Sequence, residues 1–327
     1  MRKKSILMIF VLLNVIGLVA NIYCGSASIA IGDITDVLTG KDIGNSAISY
    51  IVIHSRIPAS VTALLTGASL GVCGLLLQSY FRNPLAGPSI LGITSGANLA
   101  VAICTLGFGM ISGFTLTMRA MAGAMLILLI LLCLSKIVRQ TITLLIVGIL
   151  ISYLTNAIIT LLNYYSTAEG LQSLLIWGMG NFNGVGSANL LLFCILNLMG
   201  IGMSVFLIKP LNGWMLGQQY AANLGISIAR TRLLTLATTG LLSAVTTAYC
   251  GPIAFVGLSV PHVARMMMKT DNHRSLLPAS ALLGAFCTSI CLFISTLPSG
   301  GKLLPINALT PILGIPVIIY VILCKKN

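Results

Sequence analysis

The stretch Arg82 to Ala97, RNPLAGPSILGITSGA, interrupts two long apolar runs and decides how the rest of the chain is read. It holds a cation, a carboxamide, two prolines and a cluster of small residues. Pro84 and Pro88 each lack an amide donor and restrict the residue before them, so no helix continues through this stretch. In a bilayer, non-helical backbone is tolerated only where protein or water satisfies its polar groups. The loop is therefore expected beside a water-accessible path or at an aqueous face, with the remaining chain as its frame.

That frame is apolar. The chain has 327 residues, of which 57% are hydrophobic and 7% charged, with a mean hydropathy of +1.05. A soluble domain carries roughly 25% charged residues, so a polytopic membrane protein is expected. A crossing helix needs about 20 apolar residues. Such runs fall near 5–24, 57–79, 90–110, 115–135, 142–164, 187–208, 233–250, 253–268, 276–297 and 306–324, which predicts an all-α protein of about ten spans in one transmembrane domain over 1–327. The boundary at Gly251-Pro252 is the weakest of these cuts. Ile6 to Ala20, behind Arg2-Lys3-Lys4, also resembles a secretory signal followed by Gly25-Ser26-Ala27. Everything downstream is itself membrane-embedded, so an uncleaved first span is the simpler reading.

The net charge of +13 is explained by topology and needs no nucleic acid. With the amino terminus in the cytoplasm, the outer segments hold four cations, Lys41, Arg56, Arg119 and Lys302, and the inner segments hold the other fourteen. This obeys the positive-inside rule and places both termini inside, the last one pinned by Lys325 and Lys326. Four acids, Asp33, Asp36, Asp42 and Glu169, fall outside, and Asp271 falls inside.

Nine cysteines sit mostly within apolar spans, with no CxxC pair and no histidine at ligand spacing. Cys287 and Cys291 are one turn apart, but two thiols make no zinc site, and buried cysteine acts as a small hydrophobe. His262 has no second histidine or carboxylate close in sequence and reads as a hydrogen-bonded structural residue. No carboxylate lies within a span, against a proton- or sodium-coupled pump. Gly300-Gly301-Lys302 lacks the spacing of a phosphate loop, and no HExxH or nucleophile triad supports a hydrolase. A passive pathway driven by a partner docked inside is expected, with a stand-alone facilitator as its rival.

Four further stretches add to this reading. Gly67, Gly71 and Gly74 put small residues on one face of the second span, which predicts a central helix in close contact with its neighbours. Within Lys209 to Arg232, the stretch Gln218 to Leu224 has helix-forming character and ends at Gly225, a helix C-cap residue. A short helix there, with Arg230 and Arg232 behind it, is either a docking element or a plain connector. Asn163 to Gly186 reads as a polar outer connection, with Trp177 at the interface. Ser55-Arg56-Ile57-Pro58 places Arg56 at an outer mouth, where it either snorkels or binds a partner.

Three blocks carry a resemblance. RIPASVTALLTGASLGVCGLLLQSYFRNPLAGPSILGITSGA, GPIAFVGLSVPHVAR with DNHRSLLPASALLGA, and LLPINALTPILGIPVIIYVIL resemble the signature blocks of the FecCD family, in order and over nearly the whole chain. That family comprises permease subunits of ABC importers for iron-siderophore complexes, haem and cobalamin. The resemblance implies a type II ABC importer permease fold in the cytoplasmic membrane, paired with a second copy as a homodimer or with a close paralogue. It also implies separate ATPase subunits inside that carry the ATP, a substrate-binding protein outside, and no cofactor on this chain. Asn83 and Leu85 match the inner loop that narrows the pathway, and Thr141 and Ile142 match a second gate position. Gln218, Ala221, Leu224 and Gly225 match the helix that fits a cleft on the ATPase. Arg56 matches an outer arginine that pairs with the binding protein. The family has arginine where this chain has Ala59, glycine where it has Asn307 and an acid where it has Leu303, so Lys302 or Arg119 is expected to share the outer contact. Family frequency favours an iron chelate as cargo.

Overall fold

The computed structural model describes residues 2–41, 46–107, 114–138, 140–297 and 303–324. Among them the secondary structure is helical without strands. In chain order the helices are α1 (Arg2–Tyr23), α2 (Ile31–Leu38), α3 (Ser46–Ile51), α4 (Ile57–Phe81), α5 (Ile93–Gly107), α6 (Phe114–Ile137), α7 (Thr141–Tyr164) and α8 (Ala168–Gly178). They continue with α9 (Gly186–Phe206), α10 (Ile208–Trp214), α11 (Gln218–Asn223), α12 (Ile228–Cys250), α13 (Val256–Met268), α14 (His273–Thr296) and α15 (Ile306–Cys324). Seven helices among the described residues are long and apolar enough to cross a membrane, and Ile93–Leu106 and Ile306–Tyr320 are shorter apolar helices. Each of the ten predicted runs coincides with a helix, so ten stands as an approximate count.

Helix α4 is the axis of the bundle and packs against α14, α12, α13 and α9. Its glycines make this possible. A Cβ on Gly67 would overlap the Gly284 carbonyl of α14, one on Gly71 the Ser280 carbonyl, and one on Gly74 the Gly257 carbonyl of α13. These positions recur at helical spacing on one face, so two neighbours approach α4 at backbone distance. Burial follows the same geometry. The apolar windows of the helix running into α4 and of α12 are 78% buried, whereas those of α1 and α7 are only 17% buried and form the rim.

Three boundaries differ from the sequence reading. The second span starts earlier, because α3 runs through a π turn at Val52–Arg56 directly into α4, with Pro58 accommodated near the first turn of the α segment. The predicted 253–268 span is helical only from Val256. Its α13 has 13 residues, about 20 Å at 1.5 Å per residue, and is preceded by the non-helical Gly251–Phe255 with left-handed turns at both ends (φ 75° and 66°). The third span opens with a 3-10 turn at Pro88–Leu91 before α5, with the proline at its first position, where the missing amide leaves no helical bond unmade.

The breaks at the Arg56 end of α4 satisfy one another. Asn181 N donates to the Cys250 carbonyl at 2.8 Å and Asn307 N to the Met179 carbonyl at 2.9 Å. The Asn307 carboxamide accepts from Ala254 N at 3.2 Å and donates to the Gly178 carbonyl at 3.3 Å. The unwound ends of α8, α12 and α15 thus pair where a bilayer would not solvate them. Trp177 is half-buried against the core.

Candidate functional site

Helix α4 ends at Arg82, which takes the left-handed conformation (φ 49°, ψ 33°) and turns the chain into the expected gate loop. Asn83 folds that loop locally: its Oδ1 accepts from Leu85 N at 2.9 Å, and its carbonyl accepts from Ala86 N at 3.1 Å. This is the Asx turn that asparagine favours. Leu85 stands at the tip, 55% exposed. On the α13 side, His262 Nε2 lies 2.9 Å from the Pro84 carbonyl. A carbonyl can only accept, so Nε2 carries the proton and the imidazole holds the loop. Among the described residues no cluster of three His, Cys, Asp or Glu could hold a metal ion.

A polar cleft of about 440 Å³ opens beside this loop, lined by Gln78, Arg82, Pro84, Met215, His262, Arg265 and Asp271. Arg265 Nη1 donates to Gln78 Oε1 at 2.6 Å, Gln78 Nε2 donates to the Leu258 carbonyl at 3.0 Å, and Arg265 Nε lies 3.8 Å from Asp271. These bonds brace α4 against α13 at the Arg82 end. Nearby, His273 bonds Ser79 Oγ through Nε2 and Asn212 Oδ1 through Nδ1, both at 2.7 Å, tying α4, α10 and α14 together.

The predicted short helix is α11. It is flanked by two glycines with positive φ, Gly217 (129°) and Gly225 (78°). Gly225 N bonds the Ala222 carbonyl at 2.9 Å and Ile226 N the Ala221 carbonyl at 3.0 Å, which is the double closure of a Schellman turn. Helix α12 then restarts at Ser227, whose Oγ accepts from Arg230 N at 3.4 Å. Ala221 is completely buried and faces the bundle, while Tyr220 and Leu224 are 54% and 57% exposed. The helix therefore has one face against the protein and an apolar face turned away from it.

The structure joins two of the expected groups directly. Gln218 Nε2 donates to Thr141 Oγ1 at 2.8 Å, across the start of α7, and Ile142 beside it is exposed. The Asn83 loop reaches α11 less directly, through Arg82 and Trp214. Sequence reasoning missed Trp214, since a single tryptophan in a loop-like stretch carries no periodic signal.

Arg56 is held more tightly than a snorkelling side chain would be. It is 7% exposed and does not stand free at a mouth. Its Nη1 donates to the Ile22 and Tyr23 carbonyls at 3.0 Å each, and its Nη2 to the Ala27 carbonyl at 2.5 Å. The guanidinium closes the carboxyl-terminal end of α1, whose last carbonyls have no helical partners. Lys302 lies outside the described residues, and Arg119 is exposed near the start of α6.

Comparison with known proteins places this geometry. Residues 12–324 match the model of the FecCD transport family. The vitamin B12 import system permease protein BtuC of Salmonella paratyphi A is 36% identical over 272 residues, 82% of each chain. The protein of the same name from Escherichia coli O157:H7 is 36% identical over 271 residues, again 82% of each. A solved structure described as an inward-facing conformation of a metal-chelate type ABC transporter superposes with a TM-score of 0.85 at 30% identity, over 98% of this chain and 99% of the other.

Proposed function

This chain belongs to the FecCD transport family, and from that premise we propose that it is the membrane permease subunit of an ATP-driven importer of a metal chelate. The observation that carries the mechanism is α11, bonded to Thr141 on one side and presenting Tyr220 and Leu224 on the other. In this reading the exposed face docks an ATPase subunit, which binds the ATP, and this chain performs no chemistry. Closure of the ATPases displaces α11 as a short rigid body, and the Asn83–Leu85 loop and the Thr141–Ile142 position alternate between closed and open. Such a cycle requires contacts that differ between two states. A second copy of the chain completes the pathway, a binding protein delivers cargo from outside, and both termini lie in the cytoplasm of the inner-membrane assembly.

The cargo class is a large metal chelate. The named cargo of the relatives supports cobalamin as the first ligand to try, ahead of the ferric siderophore that family frequency suggested. The test is uptake of labelled cobalamin, ferric siderophore and haem in cells lacking this chain, with and without the gene restored. One ligand should regain uptake, and that uptake should vanish when the partner ATPase is disabled. Uptake that survives loss of the ATPase would make the chain a facilitator and overturn the importer reading.

A further inference from the structure

Helix α11 is separated from the Asn83 loop in sequence by more than a hundred residues, yet both are fastened to the same short junction. Trp214, the last residue of α10, is completely buried. Its indole stacks on Tyr80 with centroids 5.1 Å apart and planes 26° from parallel, and its Nε1 donates to the Tyr80 carbonyl at 2.9 Å. In return, Arg82 Nη2 donates to the Trp214 carbonyl at 2.5 Å. Tyr80 and Arg82 are the last turn of α4 and its cap, and Asn83 follows at once. Trp214 stands four residues before Gln218, which holds Thr141. Both expected gate positions therefore hang on residues 214–218.

The backbone at Arg82 supports the same conclusion. Its φ of 49° lies in the left-handed region that glycine or asparagine occupies most readily. An arginine is found there instead, and its side chain is spent on the Trp214 carbonyl. Without that bond, a loop bending at Gly87 would absorb a movement of α10 instead of following it. A packed aromatic contact closed by two hydrogen bonds moves as one body, because well-packed junctions shift between arrangements rather than stretch.

We infer that Arg82 and Trp214 are positioning residues that transmit displacement of α11 to the Asn83 gate loop, with His262 holding the Pro84 carbonyl as the fixed side of the hinge. This rests on the proposed importer reading and adds to it the residues that connect drive to gate.

The test uses the assembled complex with its ATPase. Uptake and ATP hydrolysis are measured in ATP-loaded proteoliposomes for the unaltered chain, Arg82→Gln and Trp214→Phe. The second readout is thiol labelling of Leu85→Cys in nanodiscs, with and without ATP and vanadate. Labelling of the chain's own cysteines, among them the exposed Cys24 and Cys133, is subtracted using the same protein without the added thiol. Both variants should hydrolyse ATP within about twofold of the unaltered complex, lose about tenfold in uptake, and lose the ATP-dependent difference in labelling at position 85. Arg82→Gln is decisive because its side chain is exposed and its loss leaves the Trp214 stack in place. A labelling difference of unaltered size in Arg82→Gln, or uptake and hydrolysis falling in equal proportion, would overturn the linkage. If the unaltered complex itself shows neither ATP-dependent uptake nor ATP-dependent labelling, the importer reading fails first.

Discussion

Arg56 shows how a charged residue in an apolar protein can serve structure. Its guanidinium fork donates to three backbone carbonyls at and just beyond the end of α1. Removing it leaves those acceptors unpaired, and charge-assisted bonds of this kind contribute about 1.5–3 kcal/mol. Arg56→Ala should therefore lower the melting temperature of the purified protein by several degrees. Arg56→Lys should recover only part of it, because an ammonium cannot reproduce the planar fork. An unchanged melting temperature in Arg56→Ala would return the residue to an outer docking role. Asn307 is the reverse case, a polar residue at a position where the family resemblance expects glycine. Its main-chain bond to Met179 remains available to glycine, but Asn307→Gly removes the bonds to Ala254 and Gly178. Two ordinary hydrogen bonds at about 1 kcal/mol each predict a measurable loss of thermal stability, with faster hydrogen exchange at Ala254.

Helix α11 is too short to be stable in isolation, since helices under about 12 residues are marginal in water. It is held by its two ends and by Ala221. The space around Gly225 is open, so a side chain there meets no neighbour, but φ of 78° penalises any L residue. Gly225→Val should therefore leave membrane levels near normal while uptake per ATP hydrolysed falls severalfold, because the closing turn of the lever is lost. Unaltered transport by that variant would remove α11 from the coupling path. Helix α13 teaches a related lesson. Its 13 residues cannot cross about 30 Å of hydrocarbon alone, and the non-helical segment before it is tied to α15 by the bond from Ala254 N to Asn307 Oδ1.

In the assembled bundle, the contacts of α4 with α13 and α14 are the least tolerant of change. A leucine at Gly67 would collide with the backbone of Gly284 and with Thr288, neither of which can swing aside as a flexible side-chain tip would. Gly67→Leu should abolish accumulation in the membrane, read by immunoblot, whereas Gly202→Leu on α9, where a Cβ meets nothing within 4 Å, should accumulate normally. The poorly buried faces of α1, α7 and α9 are the complement of this tight centre. They are the surfaces left for lipid or for a second copy.

Hydropathy and spacing were enough to establish an all-helical membrane bundle, its approximate spans, the central glycine face of the second span and the glycine that ends α11. These depend on local rules: apolar length, proline and glycine geometry, and the periodicity of small residues along one helix. The linkage of Thr141 to Gln218, the junction of Trp214 with Tyr80 and Arg82, and the burial of Arg56 against α1 were decided only by the tertiary structure. Each joins residues that are 33 to 134 positions apart. A hydrogen-bonding side chain in the sequence announces only that it needs a partner, and the packing of the helices determines which one it receives.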